Sequence, residues 1–229
     1  MKFEFIIGIL LMAICALFVT QFLRAFYHKM FKLALLFKGL ASLCFIALGA
    51  IIFFTNEFSW VGLTIFIGLC FGIVGDEIIA LCQIYPNRDI PHFLGGGAFF
   101  IVGHLLYMLA MIMLGDVNII AVAVSFVLIV ILCVIYEKRK NFLVGSLKNS
   151  LKLYISIVIL FASLGVATFI QRGTIGSALF ALGGALFTIS DNILFAFKFG
   201  NRPRYRQNVA LHIAYYVAQF VIAWSIAAL

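Results

Sequence analysis

The sequence predicts an all-α membrane protein, a bundle of eight transmembrane helices in a single domain over residues 1–229. Hydrophobic residues make up 66% of the chain and charged residues only 10%, whereas an ordinary soluble domain is roughly half apolar and about a quarter charged. The mean hydropathy is +1.22. Membrane spans of about 20 residues with short loops fit about eight times into this length and leave no room for a separate soluble domain. The composition also excludes disordered, collagenous and disulfide-stapled secreted proteins.

Eight apolar runs, separated by charged residues or by Pro and Gly, mark the expected helices in order. They cover residues 3–23, 33–54, 60–83, 93–114, 117–136, 149–170, 174–197 and 208–228. The first run differs from a signal peptide because its apolar core is too long and because basic residues follow it. Ile14 also excludes a lipobox at Cys15, so we expect this run to remain as a helix.

The basic residues predict the orientation of the bundle. Only Lys2 and Arg172 lie in the segments on one side, and Lys38 lies within the second helix. Because cytoplasmic loops carry an excess of positive charge, we expect the opposite side to be cytoplasmic, both termini to be outside, and the protein to lie in a bacterial cytoplasmic membrane. The net charge of +8 is therefore a topology signal and predicts no nucleic-acid partner. Thirteen of the sixteen Lys and Arg residues follow the first, third, fifth and seventh helices: Arg24, Lys29, Lys32, Arg88, Lys138, Arg139, Lys140, Lys148, Lys152, Lys198, Arg202, Arg204 and Arg206.

Three of the eight carboxylates, Asp76, Glu77 and Asp191, lie inside predicted spans. A carboxylate at the centre of a membrane helix costs roughly 2.5 to 3.5 kcal/mol on insertion scales, so a functional role is the default hypothesis. The other five lie at helix ends or in loops, where water solvates them: Glu4, Glu57, Asp89, Asp116 and Glu137.

The depth of the polar residues places them in one layer. Counted from the cytoplasmic ends of the third and seventh helices, Asp76 is about 10 Å deep and Asp191 about 9 Å deep, so the two aspartates share a level. Four further polar residues of the spans lie in the same half of the membrane, about 8 to 16 Å deep: Lys38, Tyr215, His104 and Gln219.

Helical spacing groups these residues further. His104 and Tyr107 are three residues apart, and Tyr215 and Gln219 are four apart, so each pair shares a helix face. Small residues form a stripe on the third helix and another on the seventh. Such stripes permit close helix approach. They would let the two aspartate-bearing helices pack together, and they equally suit any tight bundle.

Two similar segments suggest an internal repeat. Gly75-Asp76-Glu77-Ile78-Ile79 resembles Ser190-Asp191-Asn192-Ile193-Leu194 at an offset of 115 residues, which also carries His104 to Gln219. A four-plus-four duplication would be parallel, because four helices return the chain to its starting side. The match is short, so a repeat and a chance similarity both remain open.

The cysteines and histidines do not predict a metal site. His104 with the two aspartates could form a ligand set, but no HxxxH or HxxE spacing supports it, so we expect no metal and no cofactor. The five cysteines are isolated in apolar segments without a CxxC spacing and are interpreted as small core residues: Cys15, Cys44, Cys70, Cys82 and Cys133.

Four blocks follow one another along the chain: Val74-Gly75-Asp76, Phe99-Phe100 with Gly103-His104-Leu105-Leu106-Tyr107, Gly184-Ala185-Leu186-Phe187-Thr188-Ile189-Ser190-Asp191, and Tyr215-Tyr216-Val217-Ala218-Gln219. This ordered set resembles the YhhN-type lysoplasmalogenases. A Lys in the second helix, here Lys38, resembles a weaker fifth element. Gly103, where the family pattern has Ala, and Glu77, at a less acidic position, depart from that pattern. The similarity spans helices two, three, four, seven and eight.

The resemblance implies hydrolysis of the vinyl-ether bond of lysoplasmalogens, with release of a fatty aldehyde and glycerophospho-ethanolamine or glycerophospho-choline. One neutral acid and one carboxylate base would suffice for this chemistry, and we predict Asp76 and Asp191 as that pair without assigning the two roles. Lys38 could pair with an aspartate or attract the phosphate. The other residues expected to support the substrate are His104, Tyr107, Ser190, Tyr215, Tyr216 and Gln219.

Two other classes of function remain open. Intramembrane Asp and His also form proton relays, so a proton-coupled lipid or small-molecule transporter is the main alternative. Against it, the three prolines, Pro86, Pro91 and Pro203, are expected in loops, so broken helices are not indicated. A purely structural bundle would tolerate Asn at Asp76 and Asp191. The expected partners are a single-chain lysophospholipid and the bilayer, and the sequence leaves the oligomeric state open.

Overall fold

The computed structural model describes residues 2–115, 119–138, 145–200 and 204–229. These residues confirm the predicted all-α class. Residues 117 and 118 of the fifth predicted span, and the basic residues Arg139, Lys140 and Arg202, lie outside the described residues. The helices are α1 (Lys2–Tyr27), α2 (Phe31–Thr55), α3 (Trp60–Ile84), α4 (Asp89–Met113), α5 (Ile119–Lys138), α6 (Lys148–Arg172), α7 (Ile175–Phe199) and α8 (Tyr205–Ser225), with short 3-10 helices at Pro86–Arg88 and Gly145–Leu147.

Six of the described helices are long and apolar enough to cross a membrane: α1, α2, α3, α4, α6 and α7. Each has at least 25 residues and therefore extends about 38 Å, more than the ~30 Å hydrocarbon core of a bilayer. A helix satisfies all its backbone hydrogen bonds internally, which is what a chain in hydrocarbon requires. The chain is therefore an integral membrane protein, while eight crossings and the outside position of both termini stay predictions.

Local sequence explains where several helices begin and end. The side chains of Ser59 and Thr174 accept hydrogen bonds from the backbone N–H groups of the first turns of α3 and α7. Gly173 ends α6 in a left-handed conformation, with a φ of 61°, that a residue without a Cβ adopts easily. Pro91 was expected in a loop and instead lies in the first turn of α4. Proline is tolerated there because first-turn N–H groups have no partner within the helix.

The expectation that every carboxylate near a helix end is solvated is wrong for Glu4. Its side chain is buried and accepts hydrogen bonds from Thr55 and Asn56, which join the start of α1 to the end of α2. Two donors offset part of the desolvation that burial imposes on a carboxylate.

The small-residue stripes do not bring the aspartate-bearing helices α3 and α7 together. In the described residues these two helices make no direct backbone contact, and α3 packs instead against α4. A Cβ on Gly96 of α4 would lie 2.6 Å from the backbone oxygen of Gly75, so only glycine permits this approach. Gly183 of α7 is pressed against Ile222 of α8 in the same way. The stripes therefore build the α3–α4 and α7–α8 pairs and leave a space between α3 and α7.

Helix neighbours follow a two-fold pattern in the described residues. α1 packs against α2 as α5 packs against α6, and α3 packs against α4 as α7 packs against α8. Across the halves, α2 contacts α8 and α6 contacts α4. These are the neighbours expected from a parallel four-plus-four arrangement, in which helix n and helix n + 4 are equivalent. The duplication itself stays a prediction.

Candidate active site

A cavity of about 100 Å³, partly open to the outside, lies between α3 and α7. Side chains of α1, α2, α3, α4, α7 and α8 line it. Its mouth lies at the starts of α2 and α8 and the ends of α3 and α7. The lining residues at these four helix ends are Phe31 and Asn208, and Gln83 and Lys198, respectively. This is the end of the bundle at which the sequence places most of the basic loops.

Both predicted carboxylates, Asp76 and Asp191, line this one cavity. Each residue is only 6% exposed. Burying a carboxylate is costly unless charges or hydrogen bonds compensate it, so the partners of each group define its chemistry.

Asp76 of α3 is held as an ion pair. Its Oδ1 lies 2.7 Å from the ammonium nitrogen of Lys38 on α2, which also donates to the Asp76 backbone oxygen at 2.8 Å. Ser42, one turn further along α2, donates to Asp76 Oδ2 at 3.1 Å. Of the two roles open to Lys38, the geometry favours pairing with an aspartate, because the ammonium group is buried and already has two acceptors.

Asp191 of α7 has a different environment. Its one hydrogen-bond partner among the described residues is the hydroxyl of Tyr154 on α6, which donates to Oδ2 at 2.9 Å. Lys38 lies 38 residues before Asp76, and Tyr154 lies 37 residues before Asp191. Each aspartate is thus partnered from the preceding helix, once by a cation and once by a neutral phenol.

Three of the predicted supporting residues form a hydrogen-bonded chain behind the cavity. Tyr107 donates to Gln219 Oε1 at 3.3 Å, and Gln219 Nε2 donates to the Tyr215 hydroxyl at 3.2 Å. Tyr215 in turn donates to the backbone oxygen of Gly72 at 3.5 Å. Only Tyr215 of these three lines the cavity, so the chain orients its ring at the cavity wall.

His104 lies away from the cavity lining. Its Nδ1 is 2.6 Å from the backbone oxygen of Phe100, and its ring packs against Phe187 and Phe161 with centroids 4.6 and 5.2 Å away. The Nε2 atom is buried without a partner among the described residues. This geometry gives His104 no direct access to the carboxylates, and the role expected for it stays a prediction.

Ser190 and Tyr216 connect helices around the site. Ser190 lines the cavity and donates to the backbone oxygen of Leu211 at 3.0 Å, which joins α7 to α8. Tyr216 is buried outside the lining and donates to the backbone oxygen of Lys38 at 3.3 Å, with its hydroxyl 3.4 Å from Ser42 Oγ. Both residues therefore support the elements that carry Lys38 and Asp191.

Four residues of the site were not predicted from the sequence. Two of them have a signal in the sequence. Adding the 115-residue repeat offset to Lys38 gives a position one residue before Tyr154, and Lys198 lies two helical turns after Asp191 on α7. The other two carry no comparable signal. The four are Ser42, Tyr154, Lys198 and His212, of which His212 is buried and lines the cavity.

Glu77 lies outside the cavity lining, although its carboxyl is close enough to Lys38 and Asp76 to interact with them electrostatically. It follows Asp76 on α3 but does not line the cavity, and a Cβ on Gly39 of α2 would lie 3.5 Å from its carboxyl carbon. Within the described residues, no group of three or more His, Cys, Asp and Glu side chains lies close enough to hold a metal ion.

An apolar groove adjoins the cavity on the outer side of α4 and α6. It has a volume of about 310 Å³ and is lined by exposed Leu94 and Leu153 and by Tyr154. Ile79, Phe93 and Leu194 line both the groove and the cavity, so they form a shared wall. Tyr154, the partner of Asp191, therefore also lines this apolar groove.

Comparison with known proteins identifies one family. The model of the YhhN family matches residues 33–226, which include every helix that lines the groove and all the predicted site residues. The match agrees with the resemblance that the four sequence blocks carry. Neither the curated proteins nor the solved structures contain a match to this chain.

Proposed function

The chain belongs to the YhhN family, and we propose that it is an intramembrane hydrolase that cleaves the vinyl-ether bond of lysoplasmalogen. The products are a fatty aldehyde and glycerophospho-ethanolamine or glycerophospho-choline. The observation that carries the proposal is the pair of buried carboxyls, Asp76 and Asp191, on the wall of one cavity with unlike partners. This pair supplies the two proton-transfer groups that the reaction requires.

The unlike partners assign the two roles. The ammonium group of Lys38 stabilises the anionic form of Asp76, so Asp76 is the base. Asp191 has a phenol and no cation beside it among the described residues, so its neutral form avoids an uncompensated buried charge. Asp191 is therefore the acid. Two carboxyls in unlike environments that divide acid and base work are a recurring arrangement in hydrolases.

The reaction balances with these two groups. Asp191 donates its proton to the alkene carbon, and the cation that forms is shared between the neighbouring carbon and the ether oxygen. Water adds to that carbon while Asp76 accepts a proton from it, which gives a hemiacetal. As the carbon–oxygen bond breaks, Asp76 returns its proton to the leaving glycerol oxygen and Asp191 accepts the hydroxyl proton. Both carboxyls regain their starting states, and the net change is consumption of one water.

The surroundings of the cavity fit a single-chain lipid. The apolar groove offers a surface for the hydrocarbon chain, and the cavity mouth lies at the basic end of the bundle. We place that end in the cytoplasm and the protein in the bacterial cytoplasmic membrane, because positive loops remain inside. α3 and α7 are unbroken where they carry Asp76 and Asp191, unlike the interrupted helices common in transporters.

The test is aldehyde release by detergent-purified protein supplied with a lysoplasmalogen. Asp76→Asn and Asp191→Asn should each reduce the rate by about 10²-fold or more, because an amide can neither donate nor accept the required proton. Glu77→Gln is the matched control, since Glu77 adjoins Asp76 but does not line the cavity. Retained activity in either aspartate variant would contradict the assignment.

Two further observations separate hydrolysis from transport. Hydrolysis needs no second compartment, so a hydrolase should release aldehyde in detergent. A transporter has no compartments to move its substrate between in detergent and should release no aldehyde. In heavy water the aldehyde should carry one deuterium on the carbon next to its carbonyl group, because that carbon receives the proton from Asp191. A lysolipid with a saturated alkyl ether should not be cleaved, since it has no alkene to protonate.

A further inference from the structure

Lys198 is a cation of the cavity that the proposed reaction does not use. It lies near the end of α7, lines the cavity at its mouth and is about one-fifth exposed. Its ammonium group forms an ion pair with Asp89, the first residue of α4, and lies 5.6 Å from the centre of the Phe93 ring. Asp89 does not belong to the cavity lining. Lys198 is thus part of the cavity wall, while its counterion Asp89 lies outside that wall.

The two lysines of the cavity differ in how freely they can change partners. Lys38 is buried, and removing its carboxylate partner would leave a charge without compensation. Lys198 and Asp89 are partly exposed, with side chains 19% and 37% accessible. Breaking such a pair costs less free energy than breaking a fully buried one, because water reaches both partners. Lys198 can therefore exchange Asp89 for another anion at low cost.

The position of Lys198 along α7 matches the length of a lysophospholipid headgroup. Asp191, Leu194 and Lys198 are spaced i, i + 3 and i + 7, so they form one stripe, and all three line the cavity. Lys198 is seven residues from Asp191, which is about 10 Å along the helix axis. Five bonds join the ether oxygen of such a lipid to its phosphorus, about 6 Å when extended. The side chain of Lys198 spans the difference between these two lengths, about 4 Å.

We infer that Lys198 binds the phosphate group of the lysophospholipid and exchanges Asp89 for that phosphate when substrate enters. The inference rests on the proposed function, because it places the ether bond beside Asp191. It also identifies the substrate class by its headgroup: a phosphate ester of glycerol, held at the cavity mouth by one ammonium group and independent of the alcohol attached beyond the phosphate.

Two substitutions at the Lys198–Asp89 pair should act in opposite directions. Lys198→Gln removes the cation and should raise KM for lysoplasmenylethanolamine roughly ten- to hundredfold, the range of a hydrogen bond to a charged group. Asp89→Asn removes the competing carboxylate and should lower KM for the same substrate. Neither change should alter KM for an alkenylglycerol that lacks the phosphate. Lys32→Gln is the matched control, because it removes one exposed positive charge from the same end of the bundle outside the cavity lining.

A binding experiment keeps this inference separate from the proposed reaction. The probe is a saturated alkyl ether lysophosphocholine, compared with the corresponding alkylglycerol, and binding to the purified full chain is followed by calorimetry. Weaker binding of the phosphate-bearing probe alone, in Lys198→Gln but not in Lys32→Gln, supports the inference even if no lipid is cleaved. Equal weakening of both probes, or no weakening, overturns it. Absence of aldehyde release from every lipid would overturn the proposed function instead.

Inorganic phosphate distinguishes a lipid headgroup from a free phosphate. The hydrocarbon chain supplies much of the binding energy of a lysolipid, so millimolar phosphate should not displace the alkyl probe from the unaltered protein. Displacement that requires Lys198 would mean that the cavity mouth selects phosphate itself, and it would overturn the assignment to a lipid headgroup.

Discussion

Replacement of Lys38 by Met tests the charge arrangement on which the proposed acid and base roles of Asp191 and Asp76 depend. Met has a similar length and no charge, so the substitution keeps most of the packing and removes the ammonium group. Asp76 would then keep only the Ser42 hydroxyl as a side-chain donor, in a position that is 6% exposed. The carboxylate would be buried without a compensating charge.

The expected loss of stability follows from that burial. Removal of one partner from a buried ion pair destabilises a protein by about 3 to 5 kcal/mol. For a chain of this size, 1 kcal/mol changes the melting temperature by roughly 2 to 4 °C. Lys38→Met should therefore lower the melting temperature by about 6 to 20 °C. Lys198→Met is the matched control, since its partly exposed ion pair contributes only about 0 to 1 kcal/mol.

The assay uses the cysteines of the protein as reporters. Cys15, Cys44 and Cys82 are buried free thiols, so a thiol-reactive fluorophore labels them as the bundle unfolds in detergent. The double variant Lys38→Met/Asp76→Asn should recover most of the lost stability, because the uncompensated buried charge is removed. It should remain inactive, because the proposed base is also removed. A double-mutant cycle of these two residues then gives the coupling energy directly. Equal melting temperatures for Lys38→Met and Lys198→Met would refute the reasoning.

Two further predictions concern the α6–α7 and α3–α4 contacts. Tyr154→Phe removes the hydrogen bond to Asp191 but keeps the ring, so kcat should fall roughly three- to tenfold with KM unchanged. Initial rates of aldehyde release measure both constants. A rise in KM with unchanged kcat would contradict a positioning role for Tyr154. Gly96→Ala should lower stability by about 1 to 3 kcal/mol, because its Cβ would lie 2.6 Å from the Gly75 oxygen. Gly95→Ala, whose Cβ meets nothing nearer than 3.6 Å, should be nearly neutral in the same thermal measurement, and equal losses would argue against the close approach.

The helices could be predicted closely because their signal is local. Each apolar run is long enough to span hydrocarbon, and a chain in hydrocarbon must satisfy its own backbone hydrogen bonds. Asp76 and Asp191 could be predicted for a related reason: a carboxylate in such a run carries a free-energy cost that only a specific environment offsets. The structure places both on one cavity, although nothing in their spacing required this.

The partners of these carboxylates could not be predicted in the same way. Tyr154 and Ser42 lie in apolar helices where a single hydroxyl produces no pattern, and each becomes significant only through the helix packed beside it. His104 shows the opposite case. It was assigned to the polar layer by depth, yet its face of α4 turns toward Phe161 and Phe187, and it does not line the cavity. Depth along a helix is set by residue number, whereas rotation about the axis is set by packing.

The sequence by itself determined that this is an integral membrane protein with long apolar helices, two of which carry the intramembrane carboxyls Asp76, Glu77 and Asp191. Length, hydropathy and buried charge are properties of each segment alone, so they can be read without knowledge of its neighbours. Only the tertiary structure decided that glycine contacts join α3 to α4, that a cavity separates α3 from α7, and that one aspartate has a lysine partner and the other a tyrosine. Those outcomes depend on which helix faces meet, and interhelical packing selects the faces from the shapes of both partners.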